Sequence, residues 1–209
     1  AMVLVPVVLS MLWAAGLKWR WLLGTALAGA ASVPLAWRFV LDGYQKERIL
    51  VFLDPSRDPL DSGWNALQSA IAVGSGGWAG KGYLHGTQNV LGFLPRTVSP
   101  SDFIFPVIAE ETGFVGACIL LAAFTVLLAC YLRTAAVAPD AEGGLLATGM
   151  AGLLFCHMFV NIGMTIGLLP ITGLPLPLVS SGGSFMLGTL AAFGLVQSVY
   201  VRRKRRSID

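Results

Sequence analysis

Asp102 stands at a change of solvent. Before it the chain reads Ser99-Pro100-Ser101, and after it Phe103-Ile104-Phe105-Pro106. A carboxylate partly stripped of water at such a boundary is a candidate general base. Its other role would be a helix cap, by Asp102 itself or by Ser99 with Pro100 at the first helical position. Pro106 removes a backbone donor and is expected to bend the helix there. Glu110 and Glu111 follow about 12–14 Å further along. Two adjacent carboxylates in an apolar run cannot face lipid cheaply, so they face protein, water or a cavity. They either line that cavity or pair with a basic residue elsewhere.

Gly74-Ser75-Gly76-Gly77-Trp78-Ala79-Gly80-Lys81-Gly82 has the look of a phosphate loop and fails its pattern. Ser75 stands where the first glycine belongs, and Gly82 where the Ser/Thr belongs. Glycines still let a ligand approach the backbone, and Lys81 adds a point charge. The plainer reading is a surface turn with a solvated lysine. His85 nearby could touch an anion or be merely exposed. His157 and Asn161 lie one turn apart on one helical face, where polar groups commonly tie helices together. Leu174 to Ser184, rich in Pro, Gly and Ser, reads as irregular backbone, tolerated in a membrane only when buried in protein or lining a wet cavity, or else as a tight turn.

These residues need a frame, and the composition says which. The 209 residues are 56% hydrophobic and 12% charged, with mean hydropathy +0.74. Soluble domains carry about a quarter charged residues. A soluble enzyme, a disordered chain and a nucleic-acid module are excluded. A span needs about 20 mostly apolar residues. Five segments qualify: 1–17, 21–41, 103–132, 144–168 and 183–201, the first being the shortest. The N-terminus, Ala-Met-Val-Leu-Val-Pro, carries no basic leader and is expected to enter the middle of something larger. Cys118, Cys130 and Cys156 lack metal-ligand spacing and read as small buried apolar residues.

The long connection, 42–102, is not a linker. Ile49, Leu50, Phe52 and Leu53 lie among Lys46, Glu47 and Arg48. Trp64, Leu67 and Ile71 recur at helical spacing beside Asn65, Gln68 and Ser69. Both predict short amphipathic helices on the membrane surface, separated by turn chemistry at Asp54–Pro59. With the C-terminal tail inside, eight basic residues lie on the inner side and five (Lys46, Arg48, Arg57, Lys81, Arg96) on the outer, which favours that orientation. Acidic partners in the loop explain some of the five, and an anionic ligand would explain the rest.

Several stretches together carry a resemblance: Gln68–Gly77, Gly80–Gln88, Phe93-Leu94-Pro95, Ser101–Phe105, Ala109–Gly113, Val160–Met164, Pro175–Ser180 and Gly182-Gly183-Ser184. In this order the chain, from about residue 38 to 198, resembles the C-terminal half of a SEDS-family protein (shape, elongation, division, sporulation). The Lys81-Gly82 and His85-Gly86-Thr87-Gln88 forms favour its rod-shape, RodA-like branch over the division branch. The resemblance implies an all-α polytopic membrane protein with about five transmembrane helices here, half of a ten-helix fold. It implies two spans in 1–41, a large extracellular loop at 42–102 containing the short amphipathic helices, three spans in 103–201, and a basic cytoplasmic tail at 202–209. The membrane would be the bacterial cytoplasmic membrane.

The implied activity is peptidoglycan glycosyl transfer from lipid II, with Asp102 as catalytic base. Lys81, His85, Gln88, Gln68, Ser180 and Gly182 would contact substrate, and Glu110, Glu111 and Asn161 would support the cavity. No metal ligand is assigned, although a divalent cation, Mg or Mn, would suit a pyrophosphate leaving group. The implied partners are lipid II, the growing glycan strand, membrane lipid and a class B penicillin-binding protein, with no nucleic acid. Two departures stand out: Ser181 replaces the family's usual Tyr, and Pro95–Ser101 lacks its usual Glu and His. The family's N-terminal half is missing from these residues, so this stretch alone is expected to be inactive. A lipid-linked precursor flippase and a non-catalytic scaffold of the wall machinery are the rival readings.

Overall fold

The computed structural model describes residues 3–93 and 101–203. The stretch from Leu94 to Pro100, including Arg96, and the tail from Lys204 onward lie outside the described residues, as do the expectations placed on them. Among the described residues all regular structure is helical: α1 Leu4–Ala14, α2 Trp19–Phe39, α3 Gly43–Leu53, α4 Ser62–Ser75, α5 Thr87–Val90, α6 Ile104–Ala136, α7 Ala141–Thr165 and α8 Gly183–Arg202. A 3₁₀ turn occupies Pro55–Arg57. Helices α2, α6, α7 and α8 are long and apolar enough to cross a membrane, which makes the chain a polytopic membrane protein. Helix α1 is apolar, but its 11 residues reach only about 16 Å, short of a hydrocarbon core.

The chain divides into two compact units. One comprises 1–46, 126–156 and 190–209. Within it small residues admit large neighbours: a Cβ on Gly149 would press on the Met11 side chain, and one on Gly152 on Ser10. Tyr131 and Phe193 stack at a tilt, 6.3 Å between ring centres. The Asp140 carboxylate accepts the Gly143 amide at 2.7 Å and so caps the start of α7.

The other unit comprises 47–125 and 157–189, and it contains every candidate site residue that is described. Helices α3 and α4 form where the periodicity predicts them. Asp54 caps the turn between them by accepting the Ser56 amide at 3.2 Å and the Ser56 hydroxyl at 2.5 Å. Helix α4 is amphipathic in an inverted sense. Its buried face carries Gln68, Ser69 and Ala72, while Trp64, Leu67 and Ile71 are exposed. That is the arrangement a membrane-surface helix needs, with its apolar side left for lipid. Ala72 packs into a small core with Phe103 and Val107, and Ile171 closes it.

Two expectations change. Pro106 does not bend α6. It lies in the first helical turn, where its missing N–H would have had no intrahelical acceptor. The break falls instead at Gly113, whose φ of 70° and ψ of −166° only glycine adopts readily. Of the cysteines, only Cys156 is buried; Cys118 and Cys130 are exposed on the apolar surface of α6.

Candidate functional site

Asp102 lies on the turn just before α6. Among the described residues its carboxylate accepts no hydrogen bond, and in particular it caps no amide of the first helical turn. What is held is the backbone around it. The Asn161 amide donates to the Asp102 carbonyl at 2.9 Å and to the Leu174 carbonyl at 2.7 Å. The Ser180 hydroxyl donates to the Ser101 carbonyl at 2.5 Å and accepts the Leu176 amide at 2.7 Å. Gly173, at φ 70°, lies against the carboxylate, and a Cβ there would come within 3.2 Å of Oδ2. The carboxylate is thus partly exposed on a turn whose main chain is tied down on both sides.

The Pro/Gly/Ser stretch is irregular, as expected, and it is the wall of this site. Leu176 and Ser180 are buried, and Leu178 sits at a positive φ of 63°. His157 reaches the same wall through Nδ1, 3.3 Å from the Pro175 carbonyl, and its ring lies 5.1 Å from Phe185. His157 and Asn161 therefore share a face and a task, fastening α7 to residues 174–175. Asn161 is fully buried, and its Oδ1 has no hydrogen-bond partner among the described residues. Gln68 is buried on the α4 face that packs toward Phe103. Gly182 is exposed and starts the α8 ladder by accepting the Met186 amide.

A second cluster forms around Glu110, which is fully buried. The Lys81 ammonium lies 2.6 Å from Glu110 Oε1. The Thr87 hydroxyl donates to the same oxygen at 2.9 Å, and the Gln88 amide lies 3.2 Å from both oxygens. Lys81 also donates to Thr87 at 2.8 Å. The buried carboxylate is thus met by one cation and by neutral donors from the loop, with the Ser75 hydroxyl of α4 at 3.5 Å. Glu111 is buried beside it, near Gly86, and no hydrogen bond to its side chain is present among the described residues. His85 is exposed and bonds locally, Nδ1 to the Tyr83 carbonyl at 2.8 Å.

The glycine-rich loop has a task the sequence did not disclose. The Lys81 and Gly82 amides donate to the carbonyls of Glu110 and Glu111, both at 3.0 Å. The Phe114 and Val115 amides, just past the break, donate to the carbonyls of Gly77 and Trp78 at 2.8 and 3.2 Å. Both ends of a broken helix are thereby satisfied by one loop. Side chains on Gly76, Gly80 or Gly113 would run into the facing backbone. The signal was Thr112-Gly113 in mid-span, matched by glycines at 76, 77, 80 and 82.

A family model described as cell cycle protein, covering FtsW, RodA and SpoVE, matches residues 1–205. The chain belongs to this family, the SEDS proteins. The SEDS relatives include the peptidoglycan glycosyltransferase MrdB of Escherichia coli K12, 48% identical over 200 residues that cover 95% of this chain and 53% of that protein. The peptidoglycan glycosyltransferase RodA of Treponema pallidum is 43% identical over 164 residues, 78% of this chain and 37% of that one. A probable peptidoglycan glycosyltransferase FtsW of a Geobacter species is 36% identical over 204 residues, 98% of this chain and 54% of that one. A solved chain from a peptidoglycan synthase complex, described as coordinating polymerization and crosslinking, superposes with TM-score 0.78 at 37% identity, over 97% of this chain and 55% of that one. An aspartate-to-alanine variant of the rod shape determining protein RodA of Thermus thermophilus matches with TM-score 0.51 at 28% identity, over 96% and 65%. The chain thus spans about half the length of the curated MrdB and FtsW relatives.

Proposed function

We propose that the full chain is a peptidoglycan glycosyltransferase that polymerises lipid II into glycan strands during cell elongation. Asp102 is the general base. Its carboxylate takes the proton from the acceptor sugar 4-hydroxyl as that oxygen bonds to the anomeric carbon of the growing strand. The bond from that carbon to the pyrophosphate breaks, undecaprenyl pyrophosphate leaves with the electron pair, and the anomeric configuration inverts. The observation that carries this reading is the Asp102 carboxylate itself, unbonded among the described residues on a turn pinned by Asn161 and Ser180. A base must be held still and left free to accept.

Among the described substrate candidates, His85 and Gly182 are exposed and free to meet a ligand, Gln88 is half-buried and Gln68 is buried. Ser180 and Asn161 support the turn. Among the described residues no three His, Cys, Asp or Glu side chains cluster into a ready-made metal site; a divalent cation, Mg or Mn, would instead be held by one or two carboxylates together with the substrate pyrophosphate, whose charge it would offset. The loop at 42–102 faces the outside of the cytoplasmic membrane and the tail faces the cytoplasm. A class B penicillin-binding protein is the working partner, in keeping with the synthase complex that the fold matches.

One observation weighs against the transporter reading. Transporters leave broken-helix ends open to bind ions, whereas the ends at Gly113 are closed by loop 76–82. The deciding experiment is lipid II polymerisation by the full chain with its partner, wild type against Asp102→Asn. Loss of product with folding and partner binding unchanged supports the base. Retained polymerisation by Asp102→Asn removes that role, and a wild type that makes no polymer while moving lipid-linked precursor would favour the flippase.

A further inference from the structure

Lys81 carries the charge that would suit an anionic leaving group, yet its ammonium is paired with Glu110. We infer that the Lys81–Glu110 pair, with Thr87 and the Gln88 amide, is a positioning device: it locks loop 76–82 into the break at Gly113 and so fixes the half-helix 104–112 that follows Asp102.

The geometry is specific on this point. Lys81 is bound to α6 twice, by its amide to the Glu110 carbonyl at 3.0 Å and by its ammonium to the Glu110 carboxylate at 2.6 Å. The flanking Gly82 amide takes the next carbonyl, that of Glu111. On the far side of the break Trp78 packs edge-on against Phe114, ring centres 5.2 Å apart. The loop therefore grips both halves of α6, and the ion pair is its one charged fastening there among the described residues. Glycine at 86 leaves room for the Glu110 carboxylate to sit against the turn before α5, since a Cβ would meet Oε2 at 2.9 Å. From Glu110 to Asp102 is eight residues, about 12 Å along the axis. Freeing the loop would let that half-helix, and the turn ahead of it, shift by the ångström or so that is about a hundredfold in a positioned reaction.

The pair is asymmetric, and the asymmetry makes the test. Glu110 is fully buried, whereas the Lys81 side chain is 29% exposed. Removing Lys81 strands a buried carboxylate; removing the Glu110 charge leaves an ammonium that can turn to water. The inference rests on reading Asp102 as the base, so two readouts are taken on the full chain with its partner: kcat and KM for lipid II polymerisation, and amide exchange of the 76–82 and 113–115 peptides. Lys81→Met should lower kcat at least about tenfold with KM within about twofold, and should raise exchange in both peptides. Glu110→Gln, which still accepts from Thr87 and Gln88, should cost less than about fivefold. The double variant K81M/E110Q should recover at least about threefold over Lys81→Met and restore protection. A lysine that held substrate pyrophosphate would instead raise KM in both Lys81 variants, and the second change would rescue nothing; that result overturns the proposal. If Lys81→Met does not fold, a double variant that does fold supports the stranded-carboxylate account, and a double variant that also fails to fold overturns it. If wild type makes no polymer, the glycosyltransferase reading fails on its own, while unchanged exchange in the Lys81 variants would still overturn the clamp.

Discussion

Gly113→Ala tests the broken helix directly. At φ 70° and ψ −166° an alanine costs on the order of 1–3 kcal/mol in backbone strain alone. Its Cβ would run into the Gly80 nitrogen, the Trp78 carbonyl and the Ala79 carbon, all backbone atoms with no side chain to yield. The loop must therefore lift, and the Phe114 and Val115 amides lose their acceptors. Each amide left unpaired away from water costs roughly 1–3 kcal/mol, part of it recovered by relaxation. The total is about 3–5 kcal/mol. The control is Gly188→Ala in α8, where a Cβ meets nothing within 4 Å. Alanine there should be neutral or stabilising by up to about 1 kcal/mol. Thermal unfolding of the full chain in detergent should show Gly113→Ala melting at least about 5 °C lower and Gly188→Ala unchanged or higher. Equal melting of the two variants would refute the account, because it would mean that α6 runs straight through Gly113 and the loop bonds are not made.

The remaining predictions concern the Asp102 turn and the surface loop. Asn161→Leu leaves the Asp102 and Leu174 carbonyls without their donor; stability should fall by about 2–4 kcal/mol, with kcat for polymerisation falling more than KM rises. Ser180→Ala removes one donor and one acceptor and should act in the same direction but more weakly, by about 1–2 kcal/mol. Asp54, on the exposed surface, is held below the usual aspartate value of 3.8, chiefly by the Ser56 hydroxyl and then by the Ser56 amide. A lowered folded-state value means its cap is fully formed above the ordinary value and is lost as pH falls through the lowered one. The Ser56 amide should be more protected in wild type than in Asp54→Asn at neutral pH, and the difference should vanish in strong acid; a constant difference would count against the cap. The ion pair of Asp54 with Arg57, 3.7 Å and exposed on both sides, should add little.

The sequence by itself determined the solvent and the elements. Twelve per cent charge over 209 residues allows few structures other than membrane helices, and hydrophobic period places α2, α6, α7, α8 and the two amphipathic helices close to where they lie. Turn chemistry at Asp54–Pro59 and the irregular stretch before α8 were legible for the same reason: proline, glycine and capping residues act within a few residues of themselves. Family motifs singled out Asp102, Glu110 and Asn161, because residue identity at fixed order is a sequence property. The partners of those residues were not legible. Asn161 meets Asp102 across 59 positions, Ser180 meets Ser101 across 79, and Lys81 meets Glu110 across 29. Such pairings follow from how helices stack, and local propensity says nothing of stacking. The place of the break in α6 shows the difference most clearly. Proline at 106 and glycine at 113 both threaten a helix in sequence, but proline is harmless in a first turn, and glycine opens the helix only because a distant loop supplies the hydrogen bonds that make opening affordable. Whether Lys81 faces solvent, substrate or a buried carboxylate was likewise a tertiary decision, taken by Glu110, a fully buried acid that needed its charge.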